Sequence, residues 1–282
     1  MSSAAAVGWL KQIVRPAKIG HAGTLDPLAE GVLVVAVGSA TRLIDYVQRM
    51  PKRYRATFLL GRRSPSDDTE LPAEEILHPP IPSLDEIRRA ATTFVGEIQQ
   101  RPPAFSAVKL AGKRAYELAR AGREVDLQTR PVQIHELHIA EYEYPRLVLD
   151  IRCGSGTYVR SLGRDLAESI STAAVMSELV RTEIGPFTLE TAVNPRTITR
   201  ENLCDALRPA IEAVASLPVV RLADAELDRV LHGLPLPAGH SSAANLSTGQ
   251  ECAAVDASAD LAAILRIRDD GSLTPAINLR QA

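Results

Sequence analysis

Cysteine is scarce. The 282-residue chain has three, Cys153, Cys204 and Cys252, odd in number and far apart, which excludes a disulfide framework and a paired Cys-x-x-Cys zinc site and suits a reducing compartment. No apolar run approaches membrane-spanning length, and Met1 to Leu10 has no Lys or Arg ahead of its short apolar stretch, so export and membrane insertion are both disfavoured. An excess of positive charge is also missing. Lys and Arg number 32 against 34 Asp and Glu, a formal net charge of −2, which argues against a histone-like protein that holds nucleic acid by bulk charge. Aromatic residues are 4% of the chain, hydrophobic residues 45% and charged residues 23%. That composition belongs to a folded globular protein of one large or two ordinary domains, whose core needs no staple.

Two local basic runs stand out, Arg49 to Arg63 and Lys109 to Arg123; taken alone, each reads as a solvated surface. Along the chain, Val7, Leu10 and Val14 at helical spacing predict a helix over Ser3 to Val14. Val32 to Val37 predicts a buried strand, Ala40 to Met50 a helix and Tyr54 to Leu60 a strand. Arg62 to Pro82 is rich in Asp, Glu, Ser and Pro and reads as an exposed loop. Ser83-Leu84-Asp85-Glu86 is a capping box that opens another helix. Gln100-Arg101-Pro102-Pro103 cannot be helical, and a helix from Ala115 stops at Gly122. Val132 to Tyr144 and Leu147 to Cys153 predict adjacent strands, then a glycine loop and a helix over Val159 to Ile170. Thr199 to Val214 predicts one more helix, and Ser216 to Pro218 a joint. Beyond it, strands over Ala262 to Arg268 and Leu273 to Leu279 flank the hairpin signal Asp269-Asp270-Gly271-Ser272. The class is mixed α and β, with a small β-rich second domain.

Chemistry concentrates in Gly20-His21-Ala22-Gly23-Thr24-Leu25-Asp26-Pro27, where two glycines permit left-handed backbone and Pro27 forces Asp26 out of helical geometry. Read alone, Asp26 is an Asx turn or a functional carboxylate held on a loop, and His21 an ordinary loop histidine. A second glycine loop, Cys153-Gly154-Ser155-Gly156-Thr157-Tyr158-Val159-Arg160, joins strand to helix but matches neither the P-loop nor the dinucleotide fingerprint. Arg160 opens that helix, where the dipole disfavours a cation, so it needs a partner, a surface neighbour such as Asp165 or something less ordinary. Tyr54 is either core packing or a base-stacking platform. His135 and His138 lack companions at ligand spacing, so no metal site is expected.

Four segments together carry a resemblance: Gly20 to Leu33, Gln100 to Lys109, Tyr116 to Arg120 and Gly156 to Leu162 closely resemble the TruB-type tRNA pseudouridine-55 synthases of bacteria. The match runs from about Ala4 to Phe187, in order. The resemblance implies an α+β pseudouridine synthase fold, a mixed and largely antiparallel sheet with flanking helices, as a catalytic domain over residues 1–215. More weakly, residues 216–282 resemble a PUA-like RNA-binding domain. It also implies that Asp26 is the catalytic aspartate, Tyr54 the tyrosine packed on the target base and Arg160 the arginine paired with that aspartate. His21 then assists base extrusion, Gly23 and Thr24 flank it in the binding loop, and Tyr158 and Leu179 line the uracil pocket. Family members usually open with a short strand and a Lys-Pro-x-Gly segment; Met1-Ser2-Ser3 stands in its place, so either the start is misplaced or the catalytic domain lacks that strand. The implied partner is the T arm of tRNA, bound in the cytoplasm by a monomer with no protein partner and no membrane attachment.

The implied reaction suits the residues. Uridine and pseudouridine are isomers, so the conversion needs no metal, cofactor or energy source, and one ionised carboxylate suffices to attack or to stabilise a sugar cation. Arg160 would favour that ionised form. A nucleoside glycosidase is a poorer fit, since such enzymes use two carboxylates and the loop offers only Asp26. A tRNA chaperone acting through the same surface is compatible with catalysis.

Overall fold

The computed structural model describes residues 1–106, 109–110, 113–120, 123, 127–240 and 246–280. Two compact units are interleaved in sequence: the first holds Met1–Ser2, Leu25–Val32 and Arg49–Ala192, the second Ser3–Thr24, Leu33–Gln48 and Val193–Ala282.

The first unit is built on a seven-stranded sheet. Its strands are β1 (Ala29–Gly31), β2 (Lys52–Leu60), β3 (Gly96–Gln100), β4 (Arg130–Glu143), β5 (Arg146–Cys153), β6 (Ala174–Ile184) and β7 (Phe187–Thr188), in the order β7-β6-β2-β5-β4-β3. Every pairing along that path is antiparallel, and β1 adds to β6 in parallel. Alternation along β2 sends Tyr54, Ala56, Phe58 and Leu60 into the core and Arg53 and Arg55 to the other face. Helices α1 (Leu84–Thr93) and α2 (Val159–Ser169) cover the core face with Ile87, Ala91, Val159, Leu162 and Leu166. The Ser83 capping box is formed as its sequence predicts: Ser83 Oγ accepts from the Glu86 amide and Glu86 accepts from Ser83 N.

Two glycines are required by close approach. A Cβ on Gly163 would lie 1.9 Å from Phe58 Cε1, so only glycine lets α2 settle on β2. Gly31, at φ +100°, passes so near Arg181 that a Cβ would be 2.2 Å from its carbonyl oxygen. There the apolar run read as one strand divides: Val32 donates its amide to the Arg181 carbonyl in the first unit, and only Val35–Val37 is strand, paired with Ile19–His21 in the second.

The second unit holds a four-stranded sheet, β8 (Val219–Arg221), β9 (Glu251–Val255), β10 (Leu261–Ile267) and β11 (Leu273–Asn278), in chain order. One face packs Ala263, Leu265 and Ile267 with Val230 of the helix Asp224–Leu231, and the other packs Leu261 and Ile264 with Leu43 and Val214. Burial on both faces explains why β9 and β10 are near-continuous apolar runs. The hairpin at Asp269 to Ser272 forms as expected. The helix expected over Thr199 to Val214 does not: Leu203–Ala206 is one helical turn and Ala210–Val214 is 3₁₀, because Pro209 interrupts the run. The helix at Ala115 spans Ala115–Arg120, and its expected stop at Gly122 lies outside the described residues.

Candidate active site

The Asp26 backbone closes a turn, its carbonyl accepting from Ala29 N at 2.9 Å. The side chain does something else. Oδ1 accepts from Arg160 Nη2 at 3.2 Å, and Oδ2 lies 3.0 Å from Arg160 Nε. A guanidinium fork meeting both oxygens of a carboxylate fixes the carboxylate's plane as well as its position. Arg160, at the start of α2, is only 5% exposed, whereas Asp26 is 35% exposed; the aspartate reaches solvent and the arginine is buried behind it. The surface pairing of Arg160 with Asp165 is therefore set aside, and Asp165 pairs with Arg164 at 2.8 Å.

Arg160 is held from a second side. Its Nη1 donates to the Ser66 carbonyl at 3.0 Å and lies 3.3 Å from Asp68 Oδ2, while Nη2 also donates to the Phe105 carbonyl at 3.2 Å. These acceptors replace the water that a buried guanidinium loses. Asp68 is fully buried and further tied by Ser66 Oγ at 2.5 Å, so the stretch read as an exposed loop contributes a buried wall of the site. The loop Gly20 to Pro27 offers only Asp26, and the other carboxylate on Arg160, Asp68, is fully buried behind it. Burial pushes the Asp26 carboxyl above its ordinary range; Arg160 pulls it back down, and the Asp68 charge raises it further.

Tyr54 lies in β2 opposite Arg181 of β6, is 8% exposed, and its phenol is pushed up to about 12 by burial, chiefly offset by Arg181, which hydrogen-bonds its hydroxyl. The Asp26 charge acts weakly on the same phenol, raising it further. Arg181, 2% exposed, donates through Nε to the Val32 carbonyl at 2.8 Å. Leu179 pairs in register with Ala56 of β2 and Ala29 of β1. Tyr158 precedes α2 and is pinned by Gln100, whose side chain donates to the Tyr158 carbonyl at 3.0 Å and accepts from its amide at 2.8 Å. Arg130 lies over the Tyr158 ring, 4.8 Å from its centre. Asp26, Arg160, Tyr54, Tyr158 and Leu179 all belong to the first unit. His21, Gly23 and Thr24 belong to the second, where His21 ends the strand Ile19–His21 with a buried Nδ1 that has no hydrogen-bond partner among the described residues, and Gly23 takes φ +106°.

The sequence resembles a family model described as TruB family pseudouridylate synthase, N-terminal domain, over residues 11–159. The chain belongs to that family. Among relatives of this TruB chain, tRNA pseudouridine synthase B of Rhodopirellula baltica is 40% identical over 74% of this chain and 63% of its own length. The enzyme of the same name from Thermobifida fusca is 38% identical over 85% of this chain and 84% of its own. A crystal structure of a Cbf5-Nop10-Gar1 complex superposes on the whole chain and on 82% of its own chain with a TM-score of 0.73 at 26% identity.

The sequence reading missed Asp68, Gln100 and Arg181 in this TruB chain. Gln100 lies in Gln100-Arg101-Pro102-Pro103, where a polar side chain beside a non-helical segment is its only local signal. Asp68 and Arg181 carried no local signal. The basic run Arg49 to Arg63 is also not one cationic patch. On the outer sheet face Arg53 is 3.1 Å from Glu136 and 3.5 Å from Glu183, and Arg55 is 2.6 Å from Glu141; in a separate two-stranded ribbon Arg62 is 2.5 Å from Glu75. Lys52 is buried, and burial lowers its ammonium to about 8. The second run, Lys109 to Arg123, lies partly outside the described residues. Among the described residues no three His, Cys, Asp or Glu side chains form a group suited to a metal ion, and no helix is long and apolar enough to cross a membrane.

Proposed function

We propose that the chain isomerises a uridine to pseudouridine at position 55 of the T loop of tRNA, with Asp26 as the catalytic carboxylate. The observation that carries this is the two-pronged grip of a 5% exposed Arg160 on a carboxylate that still reaches solvent. The reaction exchanges the N1–C1′ bond for a C5–C1′ bond, while C5 loses a proton and N1 gains one, so atoms and electrons balance without a second substrate. Asp26 acts as the anion on the bond between base and ribose. Its own burial disfavours that anion and Arg160 offsets part of that effect, which leaves a carboxylate in a fixed orientation.

The target base lies inside a folded loop and must be extruded, at a cost of about a few kcal/mol. Stacking on Tyr54 offsets part of that cost, His21 takes the vacated place, Gly23 and Thr24 flank it, and Tyr158 and Leu179 bound the base. Residues 216–282 serve as a PUA-like accessory RNA-binding domain following a catalytic domain of 1–215, and the protein works as a cytoplasmic monomer. The test is incubation with an unmodified tRNA transcript followed by carbodiimide mapping of pseudouridine. A single modification in the T loop that Asp26→Asn abolishes supports the reading; product at wild-type rate in that variant overturns it.

A further inference from the structure

Arg160 has a companion one turn further along α2. Arg164 Nη1 lies 2.7 Å from Asp67 Oδ2, its Nη2 lies 2.8 Å from Asp165 Oδ1, and Nη2 also donates to the Arg101 carbonyl at 3.1 Å. Three consecutive loop residues are thus taken alternately by two arginines on one helix face: Ser66 and Asp68 by Arg160, Asp67 by Arg164. Asp67 stands at φ +60°, a left-handed conformation that aspartate tolerates better than most residues. Its carbonyl accepts from Met176 N and Thr69 N donates to the Met176 carbonyl, both at 3.0 Å, so the tripeptide is fastened to β6 by its backbone and to α2 by the Asp67 side chain. The left-handed residue is what turns the Ser66 carbonyl and the Asp68 carboxylate toward the same guanidinium.

We propose that Arg164 and Asp67 form a positioning pair that holds the 66–68 loop as the rear support of Arg160, and through Arg160 sets the orientation of the Asp26 carboxylate. Neither residue touches substrate. The inference rests on the reading of Asp26 and Arg160 as the catalytic pair. Misplacing a reacting group by about 1 Å costs on the order of 100-fold in rate, so a loosened support is felt in the chemical step and not in tRNA binding. Asp67 and Asp165 face Arg164, with Glu168 also acting on it, and Arg160 and Asp68 act on Asp26. When Arg160 drifts from Asp26, its downward pull weakens, and the acid side of the rate profile moves to higher pH.

The experiment measures single-turnover pseudouridine formation on a tRNA transcript across pH, with tRNA dissociation constants and Tm, for wild type, Arg164→Met, Arg160→Met and the double variant. The expected result is a fall of about 10- to 100-fold in Arg164→Met, a dissociation constant and Tm close to wild type, an acid limb shifted upward, and no further loss when the substitution is added to Arg160→Met. Asp67→Asn, which keeps an acceptor and the left-handed tolerance, retains most of the rate where Asp67→Ala does not. Equal losses in both backgrounds, losses that track Tm, or an unchanged rate in Arg164→Met would each overturn the positioning role. A wild-type rate in Arg160→Met is a separate result, read from that variant alone, and it overturns the catalytic pair on which the inference rests.

Discussion

Arginines on the two sides of the sheet, on the outer face of β2 and on α2 over the core face, pair with carboxylates at similar distances, yet the pairs do different things. On the outer face Arg53 and Glu136 are 3.1 Å apart, 33% and 34% exposed, and Arg55 meets Glu141 in a pair about half exposed. Water and salt compete with such contacts, and their net value is small. On the core side Arg160 approaches Asp26 at 3.0 Å with 5% exposure and is also held by two backbone carbonyls and the buried Asp68. There water does not compete for the guanidinium, so its fixed partners set its geometry. Exposure, more than distance, separates surface chemistry from a site.

The sharpest way to break that comparison is Asp26→Asn, for which turnover should fall by at least about 1,000-fold while tRNA affinity and Tm stay near wild type; carbodiimide mapping and a binding titration check both. Next comes Arg160→Lys. Lysine keeps the charge but not the two-pronged fork, and a fall of about 100-fold in single-turnover rate is expected, whereas Arg55→Lys on the outer face should leave the rate unchanged. The pH profile adds direction. Arg160 lowers and Asp68 raises the Asp26 pKa, and activity needs the anion, so the acid limb should move to higher pH in Arg160→Met and to lower pH in Asp68→Asn, the latter also turning over about tenfold more slowly because Arg160 loses a support. Shifts of the same sign in both variants would contradict this electrostatic assignment.

Smaller effects sharpen the comparison from the side of stability. Gly163→Ala places a Cβ against Phe58, and displacing α2 should cost about 1–3 kcal/mol in a denaturant titration, with a loss of rate because Arg160 rides on that helix. Glu141→Gln breaks the exposed pairs with Arg55 and Arg146. Its Tm should stay within about 2 °C of wild type, and the salt dependence of tRNA binding should not change.

Much of the architecture was legible because its signals are local. The capping box at Ser83 needs four residues, the β4 and β5 hairpin needs alternation on both sides of a turn, and the Asp269 to Ser272 turn is spelled by its own side chains. The resemblance in Gly20 to Leu33 and Gly156 to Leu162 also singled out Asp26 and Arg160, which the structure brings together across 134 residues of sequence. The misreadings came where distant partners decide. Arg62 to Pro82 has the composition of a solvated loop, and yet Asp68 is fully buried because Arg160 compensates its charge there. Val32 to Val37 looked like one strand because apolar content does not say which sheet each residue joins.

The amino-acid sequence by itself determined many of the local elements and the residues that resemble a catalytic loop, since these depend on neighbours within a few positions. Only the tertiary structure decided which charges are buried together. Whether an arginine is a solvated surface group or a clamp is set by the water removed around it, and that depends on a helix, a loop and a sheet whose residues lie up to 134 positions apart.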